Sequence, residues 1–332
     1  MRDSLPYNLY NDAMISEFDL IARFFTRPVR RAALGVGDDC ALIAPEPGKQ
    51  IAISCDMLVS GTHFFADTDP RELGHKSLAV NLSDLAAMGA RPLAFTLALA
   101  LPAPDAAWLG PFAEGMLALA DQFDCELIGG DTTRGPLNIC VTIFGEVTPG
   151  QALRRDAARV GDDIWVSGFL GEARLALAGL RGELALDPET LAATTKRLQA
   201  PQPRVELGLA LAGIANAAID VSDGLAGDLQ HILDLSKRGA TLNADSLPAG
   251  PMLSRQPQDV RRRFTQAGGD DYELCFTAPI ASREAIMTAA ASCGIEVTRI
   301  GTIDAEPGLR LIDDAGQPLA PTSASFDHFK PA

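Results

Sequence analysis

Apolar positions along the chain fall into runs whose spacing switches between helical and extended periods. Ser16-Glu17-Phe18-Asp19 reads as a capped helix start presenting Phe18, Ile21, Ala22 and Phe25 on one side. Ala41 to Ala44 and Ile51 to Cys55 have strand character and are separated by the turn Pro45-Glu46-Pro47-Gly48. Asp69-Pro70 joins an N-cap to a proline at the first helical position, and Gly89 supplies a stop. Leu73, Leu78, Val80, Leu82, Leu85 and Met88 therefore belong to one largely apolar helix. Pro92 to Leu101 predicts a strand and Asp105 to Phe123 a helix. Glu126 to Ile128 predicts a short strand running into a Gly-rich corner, and Leu137 to Val147 a long strand. The order β-β-α-β-α-β-β predicts a ferredoxin-like α+β sheet with its helices on one face. The other face of such a sheet needs a cover, which favours a dimer.

Thr148-Pro149-Gly150 is a turn-rich break after a strong strand and marks the expected domain junction. Beyond it, Asp163 to Val166 predicts a strand, followed by a helix through Gly179. The small-residue turn Ser167 to Gly171 between them could seat a phosphate, although tight packing explains it equally well. Helices are expected at 188–199 and 204–213, broken by Pro201 and Pro203. Ala217 to Val221 predicts a buried strand leading into a helix that starts at Ser222-Asp223-Gly224, where Asp223 could serve as the N-cap. The strand Tyr272 to Thr277, a helix near 281–293 and strands near 296–302 and 308–312 complete an α/β second domain. A chain of 332 residues that is 47% hydrophobic exceeds one comfortable core, so two domains of about 150 residues are expected. The division reads as an arm at 1–13, a dimerising first domain at 14–149 and a second domain at 150–332.

The formal charge of −15 argues against a nucleic-acid footprint or an anionic membrane surface. An anionic ligand would need a cation to mediate. The six cysteines have no CxxC or CxxH spacing and read as reduced thiols of a cytoplasmic protein. No charge-free apolar run reaches about 18 residues, and the first fifteen positions lack a signal-peptide pattern.

Acidic corners recur through both halves. They are Gly35-Val36-Gly37-Asp38-Asp39, Ser54-Cys55-Asp56, Asn81-Leu82-Ser83-Asp84, Gly129-Gly130-Asp131, Asp220-Val221-Ser222-Asp223 and Gly268-Gly269-Asp270-Asp271. Each alone could be a solvated turn. Together they form an oxygen-only donor set suited to Mg²⁺, which takes few carboxylates and completes its octahedron with phosphate oxygens and water. Asp84 falls near the end of a helix, where the dipole disfavours a carboxylate and a cation would relieve it. Asp220 leaves an apolar strand and needs a cation or strong hydrogen bonds. The chain has no GxxxxGK[ST], no complete GxGxxG and no HExxH, and its four histidines are scattered.

Five motifs, GVGDDCAL, NLSDLAAMGA, IGGDTTRGP, AIDVSDGL and GGDDYELCF, resemble in order and spacing those of thiamine-monophosphate kinase, a family related to aminoimidazole ribonucleotide synthetase. The resemblance implies ATP-dependent phosphorylation of thiamine monophosphate to thiamine diphosphate, several Mg²⁺ ions and a homodimer formed through the first domain. By motif, Asp39, Ser54, Cys55, Asp56, Asp84, Asp131, Asp220 and Asp223 match metal-ligand positions. Gly130, Asp131, Arg155 and Ser222 match positions that hold ATP, and His63, Asp270 and Phe326 match positions lining the acceptor. Three residues depart from the family pattern. Cys55 stands where Thr is usual, so its backbone carbonyl is the expected ligand. Asp270 stands for Glu, and Phe326 for Trp or Tyr.

A phosphate monoester with a second pKa near 6 is already an anionic nucleophile at neutral pH, so little general-base help is expected. Direct in-line transfer follows, with Asp39, Asp56, Asp84 and Asp220 as the acids on which turnover depends. Two alternatives stay open: a relative acting on a ribonucleotide amide, and a nucleotide- or divalent-ion-binding protein without turnover.

Overall fold

The computed structural model describes residues 16–320. The expected arm at 1–13 and Phe326 lie outside them. The Ser16 hydroxyl accepts the Asp19 N–H, and the Asp19 carboxylate accepts the Ser16 N–H, closing a capping box on α1 (Glu17–Leu20). The chain then widens into a π-type turn, Ile21–Phe25, that shifts the helical phase. Leu20 and Phe25 are the buried residues, and Phe18 is 78% exposed, so the expected stripe of Phe18, Ile21, Ala22 and Phe25 does not form.

The first domain is built on β1 (Gln50–Val59), α2 (Pro70–Ala87), β2 (Arg91–Leu101), α3 (Ala106–Gln122), β3 (Glu126–Arg134) and β4 (Asn138–Val147). Its strands lie in the order β1-β4-β2-β3, with only β2 and β3 parallel. Asp69 caps α2 by accepting the N–H groups of Arg71 and Glu72, and Asp105 caps α3 in the same way. Leu58, Leu97, Leu99, Ile139, Val141 and Ile143 point from the sheet into the core formed with α2 and α3. The opposite parity leaves Ile53 63% and Met57 54% exposed on an open face.

Two expectations change here. Ala41 to Ala44 form no strand, so the domain reads β-α-β-α-β-β. Residues 29–43 instead lie against one end of the sheet, with Val29, Ala32, Ala41 and Ile43 packed near Leu93, Ala94 and Ile128. The Glu126 carboxylate pins this segment by accepting the N–H groups of Arg30, Arg31 and Ala32 at 2.7 to 3.1 Å. Second, β3 does not stop at Ile128 but continues through Gly129-Gly130-Asp131 to Arg134. A register shift brings Gly129 opposite Thr96, and a Cβ on Gly130 would sit 1.9 Å from the Leu97 carbonyl oxygen. The glycine is thus demanded by close strand approach rather than by a turn.

The second domain contains β5 (Asp163–Ser167), α4 (Glu172–Leu180), α5 (Pro188–Gln199), α6 (Val205–Leu211), β6 (Ala217–Asp220), α7 (Leu225–Ser236) and β7 (Gly239–Asn243). It continues with α8 (Gln258–Ala267), β8 (Leu274–Ala278), α9 (Arg283–Ser292), β9 (Val297–Asp304), β10 (Gly308–Ile312) and β11 (Pro318–Leu319). The seven strands order as β11-β10-β7-β9-β5-β8-β6. Sequence reading missed β7 and α8: β7 is five residues long, and α8 buries only Val260, Phe264, Thr265 and Gln266 in a strongly charged segment. Residues 148–150 are the turn that follows β4, and the buried core is continuous across it. Leu153, Trp165, Val205, Leu207 and Leu211 join the buried residues of α2 in one cluster. α2 is therefore the shared wall of both domains. Among the described residues, no helix is long and apolar enough to cross a membrane.

Candidate active site

One turn of α2 gathers acids from both domains. Asp84 lies in its last turn, which holds no basic residue, and accepts a short hydrogen bond from the Ser54 hydroxyl on β1. Ser83 Oγ donates to Asp220 Oδ2 at 2.8 Å, where β6 ends. Asn81 Oδ1 accepts the N–H of Asp56 at 3.2 Å, and its Nδ2 donates to the Ser77 carbonyl at 3.1 Å. Asn81 and Ser83 had no role in the sequence reading. Their signal was their place inside the motif that carries Asp84.

These carboxylates resist ionising together. Burial, then the charges of Asp84 and Asp223, push Asp56 up to about 7. Burial, followed by Asp84, Asp228 and Asp56, pushes Asp220 up to about 8 against the opposing Ser83 hydrogen bond. Burial also raises Asp84, opposed by the Ser54 hydrogen bond and the Arg155 charge. Among the described residues no lysine or arginine is ion-paired with Asp56, Asp84 or Asp220.

Two loops close the second-domain side. Asp223 is not the N-cap of α7; Gly224 holds that place without a side-chain bond. The Asp228 carboxylate, one turn into the helix, accepts the N–H groups of Ser222, Asp223 and Gly224 at 3.0, 3.1 and 3.1 Å. Burial, then the Asp223 charge, lifts Asp228 to about 7. The loop 268–273 is stitched to its neighbour by Asp270 N–H to Ser222 O at 2.8 Å and Tyr272 N–H to Val221 O at 2.9 Å. A Cβ on Gly269 would meet Ser222 O at 2.6 Å. Asp270 and Tyr272 both adopt left-handed backbone, φ +66° and +50°, which side-chain-bearing residues seldom hold without a local reason. Glu273 anchors the loop, accepting from Arg204 Nε and Ser167 Oγ at 2.6 Å each. The turn from Ser167 to Gly171 is not open to a phosphate at its final amide, because Asp271 already accepts the Gly171 N–H at 2.7 Å.

Beside the acids opens a cavity of 540 Å³ lined by Ser54, Asp84, Leu85, Met88, Arg155 and Ala218 among others. Its size and its apolar floor with a few polar groups fit a nucleotide-sized molecule. The structure thus brings together Ser54, Asp56, Asp84, Arg155, Asp220, Ser222, Asp223 and, through the loop, Asp270. Others stand apart. Asp39 is exposed in a turn, its N–H bound to Asp38 Oδ1 at 2.9 Å. Asp131 is exposed on β3 and shares a rung with Met57 across Ala98 and Cys140. Three strand spacings of about 4.8 Å place it roughly 14 Å from β1. His63 Nδ1 accepts the Val59 N–H at 3.0 Å in the turn after β1. The Cys55 side chain lies on the open face, 3.5 Å from Cys140 Sγ, with Ser54 and Asp56 directed the other way.

Among the described residues no three His, Cys, Asp or Glu side chains are already closed around one point. The donor chemistry nevertheless suits a hard divalent cation: oxygen ligands, mutually repelling, at the negative end of a helix.

Two mixed α/β domains with acids converging on their shared helix define an AIR synthase related protein. The N-terminal domain family of that description matches residues 37–147, and the C-terminal domain family matches residues 159–314. Within that class, the chain belongs to the thiamine-monophosphate kinase family. It is 46% identical over 320 residues to the thiamine-monophosphate kinase of Salmonella typhimurium, covering 94% of this chain and 98% of the relative. The crystal structure of thiamine-monophosphate kinase from Stenotrophomonas maltophilia superposes with a TM-score of 0.81 at 48% identity, covering 88% of this chain and 94% of that one. A structure described as AaThiL complexed with AMPPCP and TMP gives 0.74 at 27% identity, covering 86% and 89%.

Proposed function

We propose that this chain transfers the terminal phosphoryl group of ATP to thiamine monophosphate, yielding thiamine diphosphate and ADP. The observation that carries this reading is the meeting of Asp56, Asp84 and Asp220 on one turn of α2, beside a cleft that holds Arg155. When bound there, Mg²⁺ supplies charge neutralisation for the approach of two polyanions. Asp56, Asp84, Asp220 and Asp223, with Ser54 and the Cys55 carbonyl, are the proposed metal ligands. Arg155 adds fixed positive charge at the cleft wall. Asp228 holds the Ser222 to Gly224 amides in one arrangement, giving Ser222 a defined position toward the nucleotide. The acceptor's own phosphate oxygen is the nucleophile and needs no strong base, in keeping with a site that offers hydroxyls, amides and acids but no catalytic dyad. Proposed metal or nucleotide roles for Asp39, Gly130 and Asp131, and acceptor contacts for His63, Asp270 and Phe326, rest on the family resemblance.

The open face with Ile53 and Met57 supports a homodimer, and the six free cysteines support a cytoplasmic protein. Incubation with ATP, Mg²⁺ and thiamine monophosphate, read by chromatography for thiamine diphosphate and ADP, tests the activity. ADP formation without thiamine diphosphate would overturn it.

A further inference from the structure

Lys76 lies on α2 and is only 5% exposed. A buried ammonium must be paired, because unpaired burial costs far more than the folded state can absorb. Its Nζ lies 2.6 Å from Asp270 Oδ1, and among the described residues Asp270 is the one carboxylate within ion-pair distance. The two residues are 194 positions apart and belong to different domains. The pair therefore ties the shared helix to the loop 268–273, at the residue held at φ +66°. The Tyr272 hydroxyl also reaches Asp270 Oδ1, at 3.5 Å.

Position along α2 gives this pair a meaning beyond a strut. Lys76 and Asp84 are eight residues apart, about 12 Å of helix at about 1.5 Å per residue. An acceptor whose phosphate lies at the acids would extend its rings along the helix toward Lys76 and Asp270. With Oδ1 held by Lys76, the half-exposed Asp270 keeps its second oxygen in one direction, available to a cationic or amino-bearing ring.

We propose that Lys76 is a specificity-determining positioning residue: by holding Asp270 across the domain boundary, it sets how tightly the ring end of the acceptor is bound while leaving nucleotide binding untouched. This rests on the kinase reading above. If the wild-type chain fails to bind thiamine monophosphate, that reading falls first. If the wild type binds it and the variant below behaves like wild type, only the present inference falls.

Titration calorimetry with thiamine monophosphate and, separately, with a non-hydrolysable ATP analogue gives the test. In Lys76→Met the acceptor should bind at least about tenfold more weakly, the loss expected of one charge-assisted hydrogen bond, with analogue affinity within about twofold. Unchanged binding of both ligands, or parallel loss of both, overturns the proposal. The wild-type chain gives an independent reading: the Lys76 side-chain NMR resonance should move with thiamine monophosphate and stay in place with the ATP analogue. Movement with neither ligand, or with the analogue, counts against it.

Discussion

Asp220 ends a buried strand with a serine hydroxyl as its hydrogen-bond donor and with like charges around it. In the metal-free protein, Asp56 and Asp220 keep their protons up to about 7 and about 8, whereas the unfolded chain releases them near the ordinary 3.8. The native state therefore binds more protons than the unfolded state between those values, and this contribution to stability is lost as pH rises from about 4 to 8. The thermal midpoint in a chelator should accordingly fall across that window, and Mg²⁺ should restore it most at the alkaline end, where the proposed ligands are free of protons. Asp220→Asn should raise the chelated midpoint near pH 8 yet cut turnover by about a hundredfold or more, as expected for loss of a charge-organising group. Scanning calorimetry and a coupled ADP assay read the two effects, and a variant with near-normal turnover would remove Asp220 from the site. Asp220 was legible in the sequence because a carboxylate leaving an apolar strand needs a reason. Asp228 was not, because an acid in the first turn of a helix has an ordinary explanation in the helix dipole.

At the scale of elements, the segment 222–224 is a loop whose three amides depend on one carboxylate. Asp228→Ala should cost about 1–3 kcal/mol and abolish hydrogen-exchange protection at Ser222, Asp223 and Gly224, with protection elsewhere in α7 retained. Gly130→Ala should destabilise by a similar amount, about 1–3 kcal/mol in denaturant unfolding, because the added Cβ meets the Leu97 carbonyl and β3 must shift. Capping chemistry made α2 and α3 readable to within a residue or two. Ala41 to Ala44 misled because an apolar run beside a turn suits a strand and a packed loop equally, and the deciding contacts with Leu93 and Ile128 are remote in sequence. Gly129-Gly130-Asp131 misled in the opposite sense, since the glycine pair that reads as a corner serves close strand pairing.

For the whole molecule, the decisive feature is convergence, and local pattern does not contain it. Ser83 and Asp220 are 137 residues apart, and Lys76 and Asp270 are 194 apart. Motif order hinted at a common site, but only the fold shows that α2 serves as wall to both domains. The open sheet face gives a further test. Ile53→Asp should convert the proposed dimer to a monomer in sedimentation equilibrium, while a chain already monomeric as wild type would exclude that assembly.

β1 presents Ser54 and Asp56 to the acids on one side and Ile53, Cys55 and Met57 to the open face on the other. A cover on that outer surface would press on the same strand that carries the inner carboxylate and hydroxyl. If the proposed dimer supplies that cover, the rate per molecule should depend on concentration, dropping when the chain is diluted below the point where two copies separate and recovering on reconcentration.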